Sequence, residues 1–588
     1  MSSPSQAAPA RVRIAQFERY FPLLICAVAV LTFVATLRFG FVYDDNQQIV
    51  NDPLIRSWHN LPLFFKTDVW RFWHPAMVGN YWRPFFMLWL VLNYKIFGLN
   101  AAGWHLTSVV VHAVASYLCY RVAKRASRDS VVALTAGLIF AVHPVHLETV
   151  AWVSGVTDSL MAVFFLGSLL AFLRGWERVA LARAGWFVTS SLLFAGSLLC
   201  KETAAILPVI VLGCALFLEE GSLAHRLRGV LPPLSLYAAV FIAYWLLRHS
   251  ALQGIGHSEF QLGVVPLLLT WPSLLWFYIR HLCWPVGLSV LYDRLPVVHP
   301  DWQHFWMPLL GIVTLTAFVG AVVRRGQRRL ALFAALLFGV PLIPAFILPA
   351  IFPTDYAHDR YLYLPCLGFA LLVGLTLQRL EPASYSWKTV PVLATIAIVI
   401  GLSAATSAQM IYWANDLLLF DRATRISPGN LTAFNNLAQA LVIRGRTDDA
   451  IEIFQQVLRA DPDNWPALYN LGLNNFLAGK YAEAEDMLSR AAKAHPDDAD
   501  TAALLADTLN HEHKFELAEV RIRRALALRP NKPGYRKVLA EALNGEGRVS
   551  EARKEIRDEV ESHPDEQDAV NLLQQLNSER PQGEVPAR

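Results

Sequence analysis

YFPLLICAVAVLTFVATLRFGFVYDD, residues 20–45, joins an apolar run long enough to cross a bilayer to two adjacent aspartates. Three arginines precede the run, which lacks a small-residue cleavage site, so it predicts an uncleaved signal anchor with residues 1–19 as a disordered cytoplasmic tail. Carboxylates at the mouth of a membrane helix are costly unless water, a cation or a proton-carrying substrate meets them there. Asp44 and Asp45 are therefore the leading catalytic candidates; the alternative is that the pair only ends the helix in water.

The composition limits the class of protein. The chain has 588 residues, of which 55% are hydrophobic, and a mean hydropathy of +0.36. This is too apolar for an ordinary soluble protein and indicates a membrane protein of several domains. The net charge of +4 gives no indication of a nucleic-acid surface. Six scattered cysteines without CxxC spacing suggest neither a disulfide framework nor a zinc site.

Residues 20–410 predict a polytopic helix bundle. Its eleven apolar runs lie near 20–37, 104–120, 131–142, 159–173, 186–199, 204–218, 231–247, 305–323, 330–348, 362–377 and 390–410. Arg and Lys cluster in alternate loops, which the positive-inside rule makes cytoplasmic. Two amphipathic stretches, 81–98 and 264–282, carry charges and prolines and are predicted to lie in the interface. The odd count leaves the C-terminus outside, and recounting either stretch as a span would reverse that conclusion.

This topology collects unusual polar residues on the outer side. The first extracytoplasmic loop, about residues 40–102, carries the aspartates and Arg83, and later outer loops carry His143, His146, Glu148, Lys201, Glu202 and Arg360. The inner loops contain mostly Arg and Lys. The sequence therefore predicts a site on the outer face of the membrane.

A repeat array is predicted after residue 410. Prolines recur every 34 residues at 428, 462, 496, 530 and 564, which is the tetratricopeptide period. The pattern predicts repeats at about 431–464, 465–498, 499–532 and 533–566 with a capping helix, all in an extracytoplasmic domain over 411–588. Such α-solenoids suit extended polypeptide. We predict that Asn435, Asn436, Asn470 and Asn474 bind an acceptor peptide, although asparagines at these positions may equally be solvated.

Five motifs taken together resemble a known family. They are Phe41-Val42-Tyr43-Asp44-Asp45, Trp82-Arg83-Pro84, His143-Pro144-Val145-His146-Leu147-Glu148, Lys201-Glu202-Thr203 and Arg360-Tyr361-Leu362-Tyr363-Leu364-Pro365. With the repeats, this order is similar to the transmembrane and tetratricopeptide-repeat O-mannosyltransferases, here of a bacterial type with few repeats. The resemblance implies a GT-C glycosyltransferase fold, a polyprenyl-phosphate sugar donor and, in eukaryotic members, mannose transfer to Ser or Thr hydroxyls.

The residues agree with that chemistry. Transfer of a sugar from a lipid phosphate needs a base for the acceptor hydroxyl and positive charge that stabilises the leaving phosphate. Asp44 or Asp45 can supply the base, and Arg360 can hold the phosphate by its planar fork. A single displacement would invert the anomeric carbon. Because no acidic cluster has ligand spacing, we expect neither a metal nor another cofactor, without excluding a divalent ion.

The other candidates each have a structural alternative. His143 and His146 can bind the donor sugar or phosphate, or satisfy loop carbonyls. Glu148 can orient a histidine or face water, and Arg83 can support the acidic loop or meet a lipid headgroup. Lys201 and Glu202 are expected to pair with each other and shape their loop.

The leading hypothesis is therefore a protein O-glycosyltransferase that binds membrane lipid, a lipid-linked sugar and a protein or peptide acceptor. One alternative keeps the fold but uses a lipid or glycan acceptor. Another is a non-catalytic membrane scaffold, which would have no need of ionisable residues at every outer loop.

Overall fold

The computed structural model describes residues 17–72, 79–252, 261–323, 325–378 and 389–578, and all regular structure in these ranges is helical. This confirms the predicted all-α class. The chain divides into two compact units, one reaching Asn430 and the other beginning at Leu431. Most of the predicted tail, residues 1–16, lies outside the described residues.

The first unit is a bundle of apolar helices. Those of ten residues or more are α1 (Phe21–Phe33), α2 (Pro84–Phe97), α3 (Ala101–Ser127), α4 (Ser130–Val142), α5 (Thr157–Trp176), α6 (Ala180–Cys200), α7 (Leu207–Phe217), α8 (Leu223–Ala251), α9 (Val264–Cys283), α10 (Met307–Val322), α11 (Arg328–Gly339), α12 (Pro365–Leu377), α13 (Thr389–Met410) and α14 (Asp416–Ile426). The core gathers buried side chains of α3 to α7, α11 and α12. Small residues permit the closest approaches: a Cβ on Gly368 of α12 would lie 2.4 Å from the Ala334 carbonyl oxygen of α11.

Fewer helices than predicted have the full length of a membrane span. Within the described residues, eight segments are long and apolar enough, and the bent pair Ser130–Val142 and Pro144–Val150 makes nine. The runs predicted at 204–218 and 362–377 lie on shorter helices, Glu202–Phe217 and Pro365–Leu377. Of the eleven predicted spans, eight or nine therefore have the length and apolarity of a full span within the described residues. At residue 365 the reason is local, since a proline starts α12 and the preceding residues form a 3-10 turn.

Both stretches predicted to lie in the interface are helical. α2 has 14 residues, which is too short to span, and α9 has 20 residues but does not reach the apolarity of the eight segments. α2 contributes Phe86, Trp89 and Leu90 to a small core with the first outer loop. Their interfacial position stays a prediction.

The first unit extends beyond the predicted boundary at residue 410. The Asp416 carboxylate accepts hydrogen bonds from the Tyr43 backbone, at 2.7 Å, and from the Asn46 side chain, at 3.0 Å. Ser427 is bound as well, because its hydroxyl accepts from the Asp293 backbone at 3.1 Å. The start of the segment predicted to belong to the repeat domain is thus tied to the first outer loop.

The second unit is a tetratricopeptide-type array, as predicted. Its helices are α15 (Leu431–Ile443), α16 (Thr447–Ala460), α17 (Trp465–Leu477), α18 (Tyr481–Ala494), α19 (Ala499–His511), α20 (Phe515–Leu528), α21 (Tyr535–Gly545), α22 (Val549–Ser562) and α23 (Gln567–Ser578). Paired helices pack through small residues: a Cβ on Gly472 would lie 2.6 Å from Leu488 Cγ. This explains why the repeat pattern demands Ala and Gly at these positions.

Candidate functional site

A cavity of about 590 Å³ opens inside the first unit. Loops between the helices supply most of its charged wall, and α8 and residues 341–352 supply aromatic and aliphatic side chains. The acidic, basic and histidine side chains that line it are Asp44, Arg83, Asp158, Lys201, Glu202, Arg248, Asp355, His358 and Arg360. Residues far apart in the sequence, from the first outer loop to the motif at 360, therefore meet in one pocket.

The two predicted catalytic aspartates have different surroundings. Asp44 lines the cavity, and its carboxylate has no hydrogen-bond donor among the described residues. Asp45 is fully buried and does not line the cavity; its two oxygens accept from the backbone N–H groups of Ser154, at 2.7 Å, and Val42, at 3.2 Å. Asp44 is thus free to meet a substrate, while Asp45 ties the first outer loop to the turn before α5.

Burial changes the protonation of both carboxyl groups. It raises the pKa of Asp44 to about 6, with the charge of Arg360 acting to lower this pKa and that of Asp355 to raise it. Burial also raises the pKa of Asp45 to about 7, against the lowering effect of its bonds to Ser154 and Val42. A carboxylate with a raised pKa is a stronger base than an ordinary aspartate, and with a pKa of about 6 Asp44 is mostly ionised above about pH 7.

Arg360 lines the cavity and is held in place by a buried carboxylate, that of Glu148. Its Nη1 donates to Glu148 Oε1, and its backbone N–H donates to Glu148 Oε2 at 2.9 Å. His358 lies between two acids, with Nδ1 3.7 Å from Glu148 Oε1 and Nε2 3.2 Å from Asp355 Oδ1. Burial acts to raise the pKa of Asp355, but the hydrogen bond and charge of His358 outweigh it and hold that pKa below its usual value. Glu148 is therefore mainly a partner of Arg360.

The adjacent Lys201 and Glu202 do not pair with each other, so that prediction is wrong. Lys201 Nζ lies 2.8 and 2.7 Å from the two Asp158 oxygens, and Glu202 accepts from Arg83 Nε and Nη2 at 3.1 and 2.7 Å. The backbone of Lys201 is extended, and successive side chains of an extended chain point to opposite sides. Arg83 consequently belongs to a forked ion pair in the cavity wall.

The two predicted donor-binding histidines lie outside the cavity. His143 is buried, with Nε2 3.0 Å from the Leu282 carbonyl oxygen and Nδ1 accepting from the Val145 backbone at 3.3 Å. His146 is buried among aromatic rings, its centroid 4.5 Å from Phe140 and 4.6 Å from Tyr363. The geometry gives both histidines a structural setting at the break between α4 and the following turn, which corrects their predicted role.

The predicted acceptor-binding asparagines of the array are largely engaged within it. Asn435 donates to Asn464 Oδ1 at 2.9 Å, and Asn470 and Asn474 each donate to the backbone carbonyl four residues earlier, at 2.8 and 2.9 Å. Asn436 is half-buried. Peptide binding by these residues stays a prediction.

The structure also shows cavity residues that sequence reasoning missed. Arg248 and Tyr244 of α8 line the cavity, one turn apart at the end of a predicted span. An arginine that closes an apolar helix beside aromatic residues was the available signal, but it is also typical of an interface anchor. No group of three His, Cys, Asp or Glu side chains in the described part of the chain could hold a metal ion. Metal independence nevertheless stays a prediction.

Comparison with known proteins agrees with both units. Residues 82–247 match the family described as dolichyl-phosphate-mannose-protein mannosyltransferase, and residues 417–472 and 441–508 match the tetratricopeptide repeat. Two curated relatives are the protein O-mannosyl-transferase F38B6.6 of Caenorhabditis elegans, 25% identical over 73% of this chain and 61% of its own length, and human protein O-mannosyl-transferase TMTC3, 26% identical over 73% and 50%. This chain therefore spans only about half to three fifths of their length.

Among solved structures, the tetratricopeptide protein YrrB is 24% identical over 27% of this chain and 81% of its own, with a TM-score of 0.25, which is too low to support an argument. The sequence matches carry the comparison, because the family models match parts of both the membrane unit and the repeats. By these matches, the chain is similar to the TMTC-type protein O-mannosyltransferases.

Proposed function

We propose that this protein is a membrane glycosyltransferase that moves mannose from a polyprenyl-phosphate donor to Ser or Thr hydroxyls of a protein acceptor. The names of its curated relatives and the mannosyltransferase match over residues 82–247 support the reaction class. The observation that carries the proposal is the Asp44 carboxylate, which faces the cavity without a donor of its own among the described residues and beside the positive charge of Arg360.

The proposed reaction is a single displacement. The acceptor hydroxyl oxygen attacks the anomeric carbon, and its proton passes to Asp44. The bond between the anomeric carbon and the phosphate oxygen breaks, and its electron pair stays on the phosphate. Because the hydroxyl enters from the face opposite the leaving group, the anomeric configuration is inverted. Positive charge in the cavity stabilises the phosphate as its negative charge grows.

The walls of the cavity suit a lipid-linked sugar. Ion pairs and polar groups can bind a sugar phosphate, while Phe241, Trp245 and Phe352 supply apolar surface for the first units of a polyprenyl chain. We place this cavity on the extracytoplasmic side of a bacterial inner membrane, as the charge pattern of the loops predicts. The repeat array, in this proposal, recruits the polypeptide acceptor.

The two aspartates provide the test. Asp44→Asn removes the base and should lower mannose transfer by about 100-fold or more, the usual contribution of a general base. Asp45→Asn replaces only one of the two side-chain oxygens that accept from backbone N–H groups and should leave measurable transfer with lower thermal stability. Transfer is measured with purified protein, polyprenyl phosphate mannose and candidate acceptor proteins, by mass spectrometry of the products.

Controls make this result specific. Both variants are checked for folding by size-exclusion chromatography, and Arg56→Gln, an exposed arginine outside the cavity, serves as the neutral reference. Undiminished transfer by folded Asp44→Asn protein would remove the catalytic assignment. Transfer to lipid or glycan in place of protein would favour the alternative acceptor class, and no transfer by the unmodified protein to any acceptor would favour the scaffold.

A further inference from the structure

Arg248 differs from the other cations of the cavity. Its Nη2 donates to the backbone carbonyl of Asn80 at 2.8 Å, and no carboxylate in the described part of the chain lies within ion-pair distance of it. Each of the other fixed cations has a carboxylate partner: Glu202 for Arg83, Asp158 for Lys201 and Glu148 for Arg360. A guanidinium that lines a cavity without a counter-ion is set to receive an anion.

Orphan polar atoms surround this guanidinium. Tyr244 lies one turn earlier on α8, lines the same cavity and is only 7% exposed, yet its hydroxyl has no hydrogen-bond partner among the described residues. Arg248 Nε and Asn80 Oδ1 are likewise buried without a partner in the part of the chain that the structure describes. Buried polar groups are normally satisfied, so three orphan atoms at one wall indicate a bound group that completes them. The hydroxyl and the Nε–H are both donors, which favours an acceptor-rich ligand.

Ring contacts and hydrogen bonds connect the charged groups of the wall. Arg360 Cζ and Lys201 Nζ lie 5.3 and 5.5 Å from the centroid of the same ring, that of Tyr361. Lys201 is followed in the chain by Glu202, which holds Arg83, and Arg83 Cζ lies 4.9 Å from the Tyr81 ring centroid. Asn80 directly precedes Tyr81 in the chain, and its backbone carbonyl accepts the hydrogen bond from Arg248. These contacts connect the four cations within one cavity lining, and Arg83, Lys201 and Arg360 are each neutralised there by a carboxylate.

We propose that Arg248 and Tyr244 form the subsite that holds the phosphodiester of the polyprenyl-phosphate sugar donor, an inference that rests on the proposed function. The single unpaired positive charge matches the single negative charge of a phosphodiester. Arg360, to which sequence reasoning gave the phosphate, is already neutralised by Glu148 and instead adjusts the charge beside Asp44.

Binding measured without turnover tests this subsite. The full-length protein is placed in nanodiscs with polyprenyl phosphate mannose, the matching polyprenol without phosphate, or phosphatidylglycerol, and the bound lipid is counted by native mass spectrometry. We expect the phosphorylated sugar lipid to bind at least about tenfold more tightly than either other lipid. Arg248→Gln should remove this preference, Tyr244→Phe should reduce it severalfold, and Arg248→Lys should keep part of it, because lysine retains the charge without the fork.

Two matched controls separate the subsite from general effects. Arg56, like Arg248, donates through Nη2 to a backbone carbonyl, that of Val50 at 3.1 Å, but does not line the cavity, so Arg56→Gln should bind the donor normally. Tyr244→Phe retains the ring that packs 5.5 Å from Trp82 and therefore tests the hydroxyl alone if Arg248→Gln fails to fold.

The results show whether the bound phosphate belongs to the sugar donor or to a phospholipid. They also test the subsite and the proposed function separately. Normal donor binding by both Arg248→Gln and Tyr244→Phe, or no preference for the donor in the unmodified protein, would overturn the subsite. Equal binding of phosphatidylglycerol would make it a phospholipid headgroup site instead. Donor binding that depends on Arg248 but is never followed by transfer to protein would retain the subsite and reject the proposed function.

Discussion

The carboxylates of Asp44 and Asp45 lie in different surroundings because of the backbone conformation of Tyr43, the residue before them. Tyr43 has a φ of +55°, a left-handed conformation that is uncommon for a residue with a large side chain. Its backbone N–H donates to Asp416 Oδ1 at 2.7 Å, and its ring contacts Trp152 and Phe420 with centroids 5.6 and 5.7 Å apart. Contacts from distant parts of the chain thus hold a sharp turn that sends one carboxylate to the cavity and the other to the core.

The protonation of Asp44 makes a prediction about pH. Its pKa is raised by burial to about 6, so the folded protein holds this proton more tightly than the unfolded chain. The base is active only when deprotonated. We therefore expect kcat/KM for mannose transfer to rise with pH, with an apparent pKa near 6, and to level off above about pH 7. The measurement is the pH dependence of kcat/KM at low donor concentration.

Substitution of Asp355 is a control for this pH profile, because the direction in which the profile should move can be predicted. Its negative charge raises the pKa of Asp44, so Asp355→Asn should move the acid limb of the profile to lower pH. Ionisation of Asp44 also opposes folding, because its pKa is higher in the folded protein than in the unfolded chain. The contribution of Asp44 to stability therefore falls as the pH rises from about 4 to 6. A rate that is constant across about pH 5 to 8 would contradict Asp44 as the base.

Residue roles were predictable where chemistry alone decides them and unpredictable where packing does. A lone acid pair after an anchor and an arginine in a late outer loop both indicate a polar cavity, which Asp44 and Arg360 line. For His143 the deciding partner is the Leu282 carbonyl, 139 residues away in the sequence. No local pattern could reveal that a backbone group at the end of α9 would occupy this imidazole.

At the scale of elements, the apolar runs predicted where helices occur but not where they break. The run at 131–142 ends at His143 and Pro144, and the chain then bends by 50° into Pro144–Val150. Proline cannot donate a backbone hydrogen bond, so a break at this place is expected, but its angle follows from packing. The bend is the element-scale reason that Glu148 reaches Arg360 while His143 and His146 stay in the core.

One position that recurs in each repeat of the array allows a test of backbone strain. Residues 445, 479 and 547 are glycines with φ of +73°, +73° and +82°, whereas the equivalent third-repeat residue, His513, has φ of +59°. A histidine is strained in this conformation, so His513→Gly should increase the local stability of α19 and α20 by about 0.5–1 kcal/mol. In hydrogen–deuterium exchange of the full-length protein, these helices should exchange about two- to fivefold more slowly.

The reverse substitution gives the matched control. Gly479→His should weaken the preceding repeat by a similar amount, with faster exchange in α17 and α18. Loss of the contact between His513 and Phe515, whose ring centroids lie 5.6 Å apart, works against the expected gain. Faster exchange in His513→Gly would therefore show that this ring contact outweighs the backbone strain.

At the scale of the whole molecule, the repeat period predicted repeats from about residue 431, where the second unit begins, whereas the predicted domain boundary after residue 410 lies inside the first unit. The prolines mark repeats, and the residues from Leu431 onward fold as one. The preceding segment has a repeat-like pattern around Phe420, yet the contacts of Asp416 with the Tyr43 loop and of Ser427 with residue 293 assign it to the membrane unit. Periodicity records helix packing, and it cannot distinguish a repeat partner from a membrane-unit partner.

This boundary sets the design of the last prediction, which concerns the role of the array. A stop codon after Asn430 removes residues 431–588 and retains Ser427 and the Asn430 side chain, which donates to the Tyr292 carbonyl at 3.3 Å. If the array recruits the acceptor, the truncated protein should lose at least about tenfold in kcat/KM for a protein acceptor, while kcat/KM for a short synthetic peptide and the KM for donor stay within about twofold. Mass spectrometry of both products measures the difference. Because the cavity residues lie in the retained unit, equal loss on both acceptors in a folded protein would mean that the array acts on the membrane unit and not on the acceptor.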